Sequence, residues 1–160
     1  MTHRLAISDD IDFVYEMYME ESSNPYLTYD PMPRVAFAGI YSNLVGSHTL
    51  FVVESGGMVI STYRLIPKTD RQSHTFYLGS FTIRKDQQGR GLGKQVLDHI
   101  KTYALERQKS RIELTVDINN TAAIQLYKKA GFLVEGVIRN SYRRSDTNQF
   151  YDEYLMGILL

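Results

Sequence analysis

"SFTIRKDQQGRGLGKQVL", Ser80 to Leu97, joins a short alternating apolar run to a helical-looking run through glycines at every second position, Gly89, Gly91 and Gly93. A strand, a glycine-rich turn and a helix start bring to one point backbone N–H groups that lack helical partners and the positive end of the helix. Anionic phosphate is the natural ligand of such a corner, and Arg90 and Lys94 add positive charge to it. Glycines that serve only a tight turn are the plainer reading of the same pattern.

Spacing narrows the ligand. A dinucleotide fingerprint GxGxxG beginning at Gly89 requires glycine at position 94, where Lys94 stands. A GxxxxGK[ST] loop ending at Gly93 and Lys94 requires glycine and a hydroxyl residue where the chain has Gln88 and Gln95. The pattern that fits is QxxGxG, formed by Gln88, Gly91 and Gly93.

Upstream of the loop, "RLAI" (4–7) reads as a strand, with Ser8 as the cap of a helix whose first turn carries Asp9 and Asp10 and whose face holds Phe13, Met17 and Tyr18. "ESSNPY" breaks the periodicity, and Pro33 stands where a first helical residue often does, opening a second helix to about Leu44. "TLFVVE" and "MVISTYRLI" form a hairpin through Ser55, Gly56 and Gly57, and a further strand covers Thr75 to Ile83. Downstream, Leu92, Val96, Ile100 and Ala104 recur every four residues and predict a long helix from Leu92 to Ser110. "RIELTV" is a strand, Thr121 to Ala130 a helix stopped by Gly131, and Phe132 to Leu160 two strands around "RRSDTNQ". The chain thus reads as one mixed α/β domain, 1–160.

Composition excludes several partners. The 160 residues carry 18 Lys and Arg against 18 Asp and Glu, with no basic run, so nucleic acid is not an expected partner. There is no cysteine, which removes disulfides and thiolate chemistry. His3, His48, His74 and His99 have no metal-ligand spacing, and no metal is expected. No segment approaches the roughly 18 apolar residues of a membrane span, and "MTHRLAISDD" lacks the apolar core of a signal peptide; a cytoplasmic protein without a membrane partner is the expectation.

The segment around Gln88, Gly91 and Gly93 resembles the pyrophosphate-binding motif of the GNAT acetyltransferase superfamily, which grips acetyl-coenzyme A (acetyl-CoA) through backbone amides. "NNTAAIQLYKKAGF" resembles the later motif of the same family, NxxAxxLYxxxGF, at Asn120, Ala123, Leu126, Tyr127, Gly131 and Phe132. "EGVIR" (135–139) and "YDEYLMGILL" at the end are similar to the tail of the subgroup with ribosomal-protein and polyamine acetyltransferases. The resemblance in element order spans nearly the whole chain. It implies a central mixed, mostly antiparallel sheet of about seven strands flanked by about four helices.

It also implies acetyl-CoA as cosubstrate and transfer of its acetyl group to a primary amine. The amides of Gln88, Gly89, Arg90, Gly91, Leu92, Gly93 and Lys94 would wrap the pyrophosphate. The main chain of Phe81, Thr82 and Ile83 would pair with the pantetheine arm, with the Ile83 N–H donating to the thioester carbonyl. Asn120 would bond the arm through its side-chain amide, although an Asn before a helix also reads as an N-cap. Tyr127, a packed helix residue by itself, would protonate the departing thiolate. The base is left open among Glu113, Asp117, Asp152 and a water relay. By family analogy the acceptor would lie between the loop after the first helix and the last strand pair, stretches that hold Glu20, Glu21, Asp30, Tyr26, Tyr29, Tyr142 and Tyr151. Polyamine, small-amine and protein N-terminal acceptors stand level, a homodimer is admitted, and a non-catalytic CoA-binding sensor is the competing class.

Overall fold

The structure, a computed structural model, describes every residue except Thr28. Its strands and helices run β1 (Thr2–Leu5), α1 (Ile11–Met19), α2 (Arg34–Gly46), β2 (Leu50–Ser55), β3 (Met58–Pro67), β4 (Thr75–Ile83), α3 (Leu92–Glu106), β5 (Arg111–Asp117), α4 (Thr121–Lys129), β6 (Leu133–Arg143) and β7 (Phe150–Leu159). The seven strands form one sheet in the order β1-β2-β3-β4-β5-β7-β6. Of the ladders described, β4–β5 is parallel and the others antiparallel. The chain divides into two compact units, one of 1–65 with 80–89 and the other of 66–79 with 90–160.

In the first unit α1 and α2 close over the β1–β3 side of its core. Val14, Met17 and Tyr18, three and four apart on α1, are buried with Phe37, Tyr41 and Leu44 of α2 and with Leu50, Val52 and Val59. Phe37 lies at the centre, with the rings of Tyr15, Tyr18, Tyr29 and Tyr41 all 5.6–6.5 Å from its own. The β2–β3 hairpin turns at Gly56 and Gly57, whose φ values of 59° and 77° are the left-handed conformations the turn requires.

Boundaries in the first unit differ from the sequence reading, beginning with β1, which covers Thr2–Leu5 and not 4–7. Ser8 does not cap α1; it lies in a short 3₁₀ turn, Ser8–Asp10, without a capping side-chain bond. Asp10 does the local bonding instead. It is 4% exposed, accepts from the Ile7 N–H (2.9 Å) and meets the Arg4 guanidinium at 2.7 and 2.8 Å, while Arg4 also reaches Glu54. Burial pushes the Asp10 carboxyl up, but Arg4 and the Ile7 N–H outweigh it and hold the group below its ordinary value. Pro33 is the residue before α2 and not its first turn, and its carbonyl accepts from the Ala36 and Phe37 N–H groups.

In the second unit α3 buries Val96, Leu97, Ile100 and Ala104, as its four-residue spacing predicts. It ends at Glu106, short of Ser110, where Gln108 takes a φ of 57°. Ile112, Leu114 and Val116 of β5 are buried, as are Ile124, Phe132 and Met156. α4 stops as expected at Gly131, φ 98°, and the Phe132 N–H bonds the Tyr127 carbonyl. Lys68, Arg111, Glu113 and Glu135 form a linked set of ion pairs. Gly157 makes room for it: a β-carbon there would lie 2.6 Å from Glu135 Oε1 and 2.8 Å from Arg111 Nη2.

Candidate active site

The corner is built by the end of β4. The Arg84 N–H donates to the Ile60 carbonyl (2.9 Å) and Ser61 Oγ to the Thr82 carbonyl (2.7 Å), so Thr82 and Arg84 turn their main chain toward β3. By strand alternation Phe81 and Ile83 turn theirs to the opposite edge. The parallel ladder of β4 with β5 runs only from Thr75↔Arg111 to Tyr77↔Glu113. Ser80, just beyond it, has a φ of 48°, a local break in extended geometry.

After a 3₁₀ turn at Lys85–Gln87 the loop enters α3. Gln88 Nε2 donates to the Ile83 carbonyl (2.9 Å), so the glutamine of QxxGxG ties the loop to the edge carrying Ile83. Gly89 and Gly91 have φ values of 75° and 76° and open space where a β-carbon would stand. Conformation, not crowding, therefore demands glycine at both. Gly91 caps α3, and the first helical bond runs from the Gln95 N–H to the Gly91 carbonyl at 3.4 Å. The N–H groups of Leu92, Gly93 and Lys94 donate to no backbone carbonyl among the described residues. This donor set fits a phosphate-bearing ligand.

The third glycine has a different reason. A β-carbon on Gly93 would lie 2.8 Å from Leu126 Cδ2, so Gly93 lets α3 and α4 approach. Lys94 Nζ sits 2.6 Å from Asp98, which also takes Lys101 at 2.7 Å; the two lysines lower the Asp98 carboxyl. The loop's positive charge is accordingly less than a count of Arg90 and Lys94 suggests.

Asn120 Oδ1 accepts from the Ala123 N–H (3.2 Å), so its N-cap reading is realised, and its Nδ2 is the donor it can offer a ligand. Tyr127 is 7% exposed, with its ring edge-on to Phe132 at 5.7 Å. Burial, with Tyr77 nearby, pushes its phenol above the ordinary tyrosine value, so it stays protonated at neutral pH. Tyr77 Oη and Thr115 Oγ1 are 2.9 Å apart. Of the three base candidates, Glu113 is held by Lys68 and Arg111, and Asp152 accepts from the Asn140 N–H. Asp117 is buried and accepts from the Tyr142 hydroxyl and the Asn119 N–H. Burial and then Asp117 push the Tyr142 phenol up.

Phe81, Thr82, Ile83, Gln88 and Gly89 belong to the first unit, and Arg90, Gly91, Leu92, Gly93, Lys94, Asn120 and Tyr127 to the second. Within the first unit a cleft of about 390 Å³ reaches Ile83 from α1, with Phe13, Glu16 and Met17 on its wall. Sequence reasoning missed it. The helical stripe Phe13, Glu16, Met17 and Glu20 was the available signal, but periodicity does not tell a packed face from one beside a cleft.

The sheet and the glycine turn define an α/β protein in which a strand, a glycine-rich turn and a helix start meet at the end of β4. The profile of the Acetyltransferase (GNAT) family matches residues 11–132, and the chain belongs to that family. It is 38% identical over 77 residues to a probable spermine N(1)-acetyltransferase of Bacillus subtilis subsp. natto, covering 46% of this chain and 51% of that protein. The chain thus spans about half the length of that relative. It is 30% identical over 123 residues to the N-alpha-acetyltransferase RimI of Mycobacterium tuberculosis, covering 76% and 73%. In fold it is similar to a spermidine N-acetyltransferase from Vibrio cholerae solved in complex with CoA and spermine, with a TM-score of 0.83, 21% identity and coverage of 99% and 94%.

Proposed function

We propose that this protein transfers the acetyl group of acetyl-CoA to a primary amine. The observation that carries the reading is the pair of left-handed glycines, Gly89 and Gly91, opening α3 beneath the N–H groups of Leu92, Gly93 and Lys94. Family membership supports it, as do the spermine and N-alpha acetyltransferases among the relatives. The protein needs no metal for this chemistry and is assigned to the cytoplasm.

The amides from Gln88 to Lys94 bind the pyrophosphate, and Arg90 and Lys94 steer it in. The outward-turned main chain of Phe81 and Ile83, spaced by Thr82, aligns the pantetheine arm, with Asn120 Nδ2 as a further donor to it. The Ile83 N–H polarises the thioester carbonyl, a role for a fixed backbone donor. The amine nitrogen bonds to the carbonyl carbon and sheds one N–H proton to water as the C–S bond breaks, while Tyr127 gives its proton to the leaving sulfur and is reprotonated from water. Acetyl-CoA supplies the activated acyl group, and the chain supplies grip, alignment and the proton.

Incubation with acetyl-CoA and a panel of primary amines, followed by release of free thiol, tests the proposal. Amine-dependent release is the expected result. Tight acetyl-CoA binding without release for polyamines, small amines and peptide N-termini alike would favour a non-catalytic CoA sensor.

A further inference from the structure

The cleft in the first unit has an apolar lining and an unbalanced charge. Met17 and Val59 are buried apolar residues of its lining, Ile83 contributes to the wall, and Phe13 stands 43% exposed. Its charged residues largely cancel: Lys85 pairs with Glu20 at 2.6 Å and Arg84 with Asp86 at 2.9 Å. Glu16 is exposed and has no ion pair among the described residues. It lies one helical turn from Phe13, so a lone carboxylate and an aromatic ring lie side by side in an apolar lining. That combination suits an ammonium group carried on a hydrocarbon chain.

The carboxylate also says which nitrogen belongs there. A nearby negative charge favours the protonated amine, and a protonated amine cannot attack a thioester. Glu16 is therefore the wrong neighbour for the reacting nitrogen and a suitable one for a second, non-reacting ammonium. We propose that the cleft holds the distal ammonium and carbon chain of a diamine or polyamine acceptor, with Glu16 and Phe13 as the specificity-determining residues. This deepens the acetyl-transfer reading and rests on it, because Ile83, the residue assigned to the thioester, is part of the same wall.

The test titrates diaminobutane and butylamine into wild type and Glu16→Gln by calorimetry without acetyl-CoA, then measures acetyl transfer to both. Wild type is expected to prefer the diamine by about fivefold to tenfold, the scale of one exposed charge pair with a cation–π contact. Glu16→Gln is expected to erase that preference in affinity and in KM, with kcat and acetyl-CoA affinity retained. Phe13→Leu weakens the diamine while leaving acetyl-CoA binding intact. Equal affinity of wild type for the two amines, or a preference that survives Glu16→Gln, overturns the proposal. Absence of thiol release with either amine overturns the transfer reading instead, and the titration tells the two failures apart.

Discussion

Glutamate at position 91 tests the phosphate corner by adding both a β-carbon and a charge. Gly91 sits at φ 76° and ψ 0°, where a side chain costs about 1–2 kcal/mol. Nothing lies within 4 Å of the new β-carbon, so there is no clash to add. A carboxylate at the start of α3 recovers about 0.3–1 kcal/mol from the helix end. Gly91→Glu should therefore fold, with a urea midpoint lowered by about 1 kcal/mol of stability. Binding suffers far more. A carboxylate roughly 5 Å from one phosphate charge, at an effective dielectric constant of about 20, is repelled by about 3 kcal/mol. Acetyl-CoA affinity, followed by calorimetric titration, should fall at least about a hundredfold. Gly91→Ala has the same strain without the charge and should lose less than about tenfold. A folded Gly91→Glu protein with wild-type affinity would refute the phosphate assignment, and equal losses for Ala and Glu would refute the electrostatic reasoning.

Tyr127→Phe should lower kcat about a hundredfold while leaving acetyl-CoA affinity nearly unchanged, as measured by single turnover beside a binding titration. Wild-type chemistry in that variant would return Tyr127 to a packing role. Gly93→Ala should cost about 1 kcal/mol in urea unfolding through the close approach to Leu126 Cδ2, with part restored by Leu126→Val. Neutralising Arg90 and Lys94 together should weaken acetyl-CoA binding most at low salt, and Lys94→Met alone should do little because Asp98 already holds that lysine. Lys85 and then Ser22 hold the Glu20 carboxyl at about 2, against 4.5 unperturbed. Since the folded value is the lower one, its stabilisation is present above the unfolded value and lost as pH falls from there toward 2. The exposure of its partner Lys85 limits the effect to less than about 1 kcal/mol, and acid unfolding curves of wild type and Glu20→Gln should converge over that window.

The elements that were legible are those whose cause is local. The four-residue repeat of α3, the paired glycines of the β2–β3 turn and the stop at Gly131 each follow from a periodicity or a φ requirement within a few residues. The glycine turn before α3 was legible for the same reason, and Gly89 and Gly91 both stand at positive φ. What was not legible depends on residues far apart in the chain. Asp10 reads as a charge for a helix end, yet Arg4 draws it into a buried pair shared with Glu54. Gly93 reads as a third phosphate glycine, and its partner proves to be Leu126 on another helix. Glu113 reads as one of several candidates for the base, and only the structure places Lys68 and Arg111 beside it. The α1 cleft depends on Val59 and Ile83 arriving from other strands, which helical periodicity does not encode.

The measurement that bears most directly on acetyl transfer is product identification: mass spectrometry of a primary amine incubated with the protein and acetyl-CoA, with free thiol counted in the same sample. The account predicts one acetylated amine per thiol released, formed only when both substrates are present and lost with Gly91→Glu. Acetyl-CoA bound at the glycine loop with no acetylated amine formed would contradict it.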